Sequence, residues 1–110
     1  MPRMKSVEAF KRNAQLVEFM KLHKGNENIV SSKEISDFLI SKGWDSKPTH
    51  VHSYLRACMY EFNAPICYVN TKGYFWAVRS EEISRTIEDM QSRIKSLQQH
   101  IDHLNNFVIR

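Results

Sequence analysis

The chain has 110 residues, 42% of them hydrophobic. That is enough for one compact domain of roughly 75 residues plus one extended element, and too few for two independent cores. A net charge of +4 and a pI near 9.2 fit contact with a polyanion, because phosphate neutralisation supplies most non-specific DNA affinity.

The cationic surplus falls within the first 79 residues, and the last 31 are close to neutral. No stretch approaches the roughly 18 apolar residues of a membrane span, and the basic N-terminus lacks an apolar signal core. A cytoplasmic protein without a membrane partner is expected. The two cysteines, Cys58 and Cys67, each sit in an apolar run without a CxxC pair or a finger-spaced His, which predicts buried reduced thiols.

Between Ser6 and Lys24 the residues Val7, Phe10, Ala14, Val17 and Met20 recur at steps of three and four, the spacing of one helical face. Gly25-Asn26 ends this first helix. Ser31-Ser32-Lys33-Glu34 then has capping-box form, with a hydroxyl followed three residues on by a carboxylate. It starts a second helix through Ile35, Phe38, Leu39 and Ile40, which Gly43 stops.

Pro48 fits the first turn of a third helix, where its missing N–H costs nothing. That helix, over 47–62, buries Val51, Leu55, Cys58, Met59 and Phe62 and leaves a polar face. Asn63-Ala64-Pro65 breaks it. The β-branched and aromatic runs Ile66–Val69 and Tyr74–Val78, flanking Asn70-Thr71-Lys72-Gly73, then read as a hairpin. Tyr74, Phe75 and Trp76 alternate across that hairpin, so at least one is expected to face outward, with Tyr74 and Trp76 packed on the third helix and Trp44 closing the same core.

From Ser80 onward there is neither Pro nor Gly. Ile83, Ile87, Met90, Ile94, Leu97, Ile101, Leu104 and Val108 follow steps of four and three, an unbroken 3.5-residue repeat. Such a stripe needs a cover, and self-association into a homodimer is the first expectation. The flanking positions lack a complementary charge pattern, which leaves parallel and antiparallel pairs both open.

Three helices followed by a hairpin, with a short turn between helices two and three, give a winged helix-turn-helix order. The stretches Ile29-Val30-Ser31-Ser32-Lys33-Glu34-Ile35, Pro65-Ile66-Cys67 and Lys72-Gly73-Tyr74-Phe75-Trp76-Ala77 resemble the winged-helix domain of biotin-operon-type repressors and of small bacterial and phage regulators. The fold class expected is therefore mostly α with a small β-hairpin: a winged helix-turn-helix domain over 1–78 and a coiled-coil dimerisation helix over 79–110. The sequence departs from the family pattern at Gly43 to Thr49, where the link is longer and carries Trp44 and Pro48.

The resemblance implies a regulator that binds double-stranded DNA. On this reading helix 47–62 enters the major groove and the 66–78 wing contacts flanking DNA. Lys47, Thr49, His50, His52, Ser53 and Arg56 offer donors, acceptors and cations to bases and phosphates, with Lys72 at the wing tip. Arg3, Lys5, Lys11 and Arg12 form a candidate basic arm.

No nucleophile motif, phosphate-cradling loop or metal-ligand spacing is legible, so neither catalysis nor a cofactor is expected. The competing reading is a protein-interaction adaptor, or a host-directed phage factor, that uses the same scaffold to bind a protein partner.

Overall fold

The computed structural model describes residues 6–107. The chain is mostly helical, in the order α1 (Ser6–Met20), α2 (Ser32–Ser41), a 3-10 turn (Pro48–His50), α3 (Val51–Glu61), β1 (Ile66–Val69), β2 (Gly73–Trp76) and α4 (Ser80–Leu104). Among the described residues, no helix is long and apolar enough to cross a membrane.

The buried face of α1 is Arg12, Asn13, Leu16, Val17 and Met20. The predicted stripe therefore holds only in its second half, and Val7 and Phe10 are exposed. Helix α1 meets α3 through Phe10, Arg12 and Asn13: the Phe10 ring lies 5.1 Å from that of Phe62, the Arg12 guanidinium lies 3.9 Å over Tyr54, and the Asn13 carbonyl accepts from the Cys58 thiol. The helix also stops short of the expected Lys24. Strand β2 claims the following backbone: Trp76 N–H donates to the His23 carbonyl at 2.7 Å, and Gly25 N–H to the Trp76 carbonyl at 2.9 Å. A left-handed Gly25 (φ +82°) makes that turn.

Ser31 caps α2 as the sequence predicts, but the Glu34 carboxylate accepts from the Ser31 hydroxyl at 3.1 Å and not from its backbone N–H, so half of the capping box forms. Ser31 Oγ accepts from the Glu34 N–H at 3.1 Å, satisfying one of the donors a helix start leaves unpaired. Ile35 and Leu39 enter the core, while Ile40 points out. The link to α3 is held at both ends. Ser36 Oγ donates to Ser46 Oγ at 3.0 Å, and Trp44 Nε1 donates to Gln15 Oε1 at 2.7 Å.

The hairpin pairs antiparallel with Ile66 opposite Trp76 and Val69 opposite Gly73. Val30 joins β2 from its other edge through two 2.8 Å backbone bonds with Tyr74. That approach fixes Gly73 twice over. Its φ is +137°, and a Cβ there would stand 2.1 Å from the Val30 carbonyl oxygen.

The sheet is covered on both faces. Ile66 and Tyr74 join the three-helix core built on Leu16, Met20, Ile35, Leu39, Val51, Leu55 and Cys58, with Trp44, Tyr68 and Trp76 packed against it. Cys67, Phe75 and Ala77 form a second, smaller core with Ile29 and Val69. This corrects the expectation of an outward-facing aromatic. Phe75 is the side chain that alternation turns away from the helices, yet it is buried, because the start of α4 folds over that side.

Glu82 anchors α4 there. Its Oε1 accepts from the Val78 and Arg79 N–H groups at 2.9 and 3.1 Å, and its Oε2 accepts from the Asn26 N–H at 2.6 Å. Burial alone pushes this carboxyl up, but the backbone donors outweigh it and leave the group below its ordinary value. Thr86 Oγ1 caps the Glu82 carbonyl at 3.0 Å, and Arg93 stacks on Tyr68 at 5.2 Å. Beyond that point α4 runs exposed.

Candidate nucleic-acid interface

Three of the residues expected to meet DNA precede the α-helix itself: Thr49 and His50 stand on the 3-10 turn that leads into α3, and Lys47 is the extended residue that caps it. Pro48 explains the tighter turn. It fixes φ and supplies no N–H, so the helix opens with an i→i+3 bond from the His50 N–H to the Lys47 carbonyl at 2.9 Å. His52, Ser53 and Arg56 follow on α3, and all six side chains are exposed. The tether from Ser46 to α2 and the packing of Trp44 on the core set the angle of this helix.

Two of the six are joined. Arg56 Nη2 lies 3.1 Å from His52 Nε2, and His52 Nδ1 lies 3.4 Å from the Tyr74 hydroxyl. Guanidinium nitrogens only donate, so Nε2 accepts and the ring proton sits on Nδ1, facing Tyr74. Burial pushes the Tyr74 hydroxyl above its ordinary value, which keeps it a neutral partner. The β2 tyrosine thus orients His52, and His52 orients the fork of Arg56. Sequence reasoning placed Tyr74 in the core and missed this second role. No spacing rule links residues 22 apart on different elements.

Lys72 lies apart from these residues. It lines the cleft between the hairpin tip and α4 with Arg79, Arg85 and Asp89, whereas His52 and Arg56 line a different groove between α3 and α4. Lys72 and the α3 face are thus on separate surfaces of the hairpin.

The basic arm is corrected at Arg12. Its side chain is 7% exposed, donates from Nε to Asn13 Oδ1 at 3.2 Å and lies 3.9 Å over the Tyr54 ring, so it serves the α1–α3 contact. Lys11 is exposed. Arg3 and Lys5 lie outside the described residues.

Met59 was expected inside and is exposed. Beside it Tyr60 is 83% exposed, a residue the sequence reading did not single out. Both line the groove between α3 and the first turns of α4, a space of about 550 Å³ with Leu55, Tyr68, Thr86 and Met90.

Seven seam residues of α4, Ile83 through Leu104, are 42–66% exposed; Val108 lies outside the described residues. Among the described residues no group of three His, Cys, Asp or Glu side chains converges. Both cysteines are buried and free. Burial pushes the Cys58 thiol up to about 12 and raises that of Cys67 as well.

Comparison with family models, curated proteins and solved structures finds no match to this chain.

Proposed function

We propose that the chain is a DNA-binding transcriptional regulator of winged helix-turn-helix type that acts as a homodimer through α4. The observation that carries this reading is the exposed polar surface of the 3-10 turn and α3, where Lys47, Thr49, His50, Ser53 and Arg56 stand out from a helix fixed in angle by α2 and Trp44. A helix has the width of the major groove, and imidazole, hydroxyl, ammonium and guanidinium groups match base edges and phosphates. Lys47 and Arg56 form no ion pair among the described residues, so both charges are available to phosphate.

The test is binding of the purified protein to mixed genomic DNA fragments at two salt concentrations. Replacing Lys47 and Arg56 together by Ala is expected to weaken binding about 100-fold and to flatten the salt dependence by up to two phosphate equivalents, and adding Lys72→Ala reads whether the hairpin tip supplies a third. Absence of binding by the parent chain at low salt would refute the reading.

A protein-interaction adaptor is the second reading, favoured by exposed Met59 and Tyr60 on the same helix. Under it the triple Ala variant keeps its biological activity.

A further inference from the structure

We infer that α4 pairs antiparallel with α4 of a second copy, and that the groove between α3 and α4 receives the Leu104–Phe107 end of that second helix. The inference rests on the homodimer part of the proposed function and adds its direction and its docking site.

The face by which α4 meets its own domain is Glu82, Thr86 and Arg93. The apolar seam lies about 100° around the helix from that face, so the domain leaves it open. A straight helix drifts about 20° per heptad from a 3.5-residue repeat. A stripe that holds the repeat from Ile83 to Leu104 therefore calls for a supercoiling helical partner with the same period. A second copy supplies one, since a two-fold interface uses the same patch twice.

The seam composition serves either direction: parallel pairing stacks Ile on Ile, and antiparallel pairing sets each Ile against Leu or Met. The groove decides between them. In a parallel pair the position facing Thr86 is Gln91 of the second copy, an amide presented to Leu55, Met59, Tyr60 and Met90.

In an antiparallel pair centred on Ile94 against Leu97, the layers are Ile87 with Leu104, Met90 with Ile101, and Ile94 with Leu97, each formed twice. The segment brought opposite Thr86 is then the turn that follows α4, closed by the Phe107 N–H on the Leu104 carbonyl at 3.1 Å, which carries Phe107. That ring is 60% exposed in the single chain, held edge-on to His103 at 5.2 Å, and matches an apolar groove. Antiparallel pairing also sets the Thr86 and Arg93 sides of both helices on one side of the pair. Both domains stand there, at opposite ends, about a two-fold axis perpendicular to the helices.

Disulfide trapping in the full chain tests this. A mixture of Met90→Cys and Ile101→Cys chains is expected to give the mixed 90–101 disulfide, identified by peptide mass. Met90→Cys alone is expected to give no 90–90 link, because those residues would be about 16 Å apart along the pair, beyond disulfide reach. Efficient 90–90 linkage without the mixed product would overturn the direction and leave the homodimer standing.

A monomeric mass at every concentration would overturn the inference together with the homodimer, and DNA binding by that monomer would leave the regulator reading intact. Phe107→Asp is expected to raise the dimer Kd at least tenfold; an unchanged Kd would overturn the groove as docking site.

Discussion

Glu82 shows how one side chain joins elements distant in sequence. Its carboxylate accepts three backbone N–H groups from two segments, and removal of such an acceptor leaves part-buried donors unpaired at about 1–3 kcal/mol. Its folded-state value lies below the ordinary 4.5. Its contribution is therefore complete above that value and is lost as pH falls through the lower, folded one. Glu82→Gln is expected to be about 2 kcal/mol less stable near neutral pH, with the gap to the parent closing in acid, as denaturant titrations at both ends will read.

Gly73 is equally exacting, and Gly73→Ala should lower the melting temperature by roughly 10 °C, because both its φ and the Val30 carbonyl oppose a Cβ. The raised thiol of Cys58, which donates to the Asn13 carbonyl at 3.6 Å, should resist alkylation until the chain unfolds; rapid labelling of the native protein would contradict its burial.

Legibility differs among the elements for physical reasons. Helix α2 was readable because its signals are local: Ser31 and Glu34 sit three apart, and Gly43 follows the last turn. The hairpin was readable from β-branched runs around a glycine. Helix α1 was readable as a helix but not in its buried face, since Arg12 and Asn13 enter the core through partners on α3 and on their own turn. The burial of Phe75 was unreadable from alternation, because what covers it is a helix that begins after the sheet has ended.

Phe75→Ala should accordingly cost about 3–4 kcal/mol, as for any large core deletion. Under the proposed function, a hairpin aromatic that merely touched DNA would lower affinity and leave the melting temperature unchanged. Of the candidate interface, the residue types on α3 were legible, and the coupling of Arg56 to Tyr74 through His52 was not, since it arises only once α3 lies on the hairpin.

At the scale of the whole molecule the hairpin is the middle layer, with the three-helix core on one side and the start of α4 on the other. The proposed assembly helix and the proposed reading helix thus share one small sheet. Selected DNA sites are expected to contain two inverted half-sites at fixed spacing, and sites with a single unconstrained half-site would contradict a two-fold regulator.

Arg93, whose guanidinium lies over the Tyr68 ring, also acts as a fulcrum. From that residue to Leu104 the helix is an arm of about 16 Å, so turning it by roughly 5° there carries the far end about 1.4 Å. Motion in the other direction is reduced by the same lever ratio. A displacement at the far end of α4 arrives at the hairpin, and so at Tyr74 and the side chains it orients, as a small rotation of the sheet.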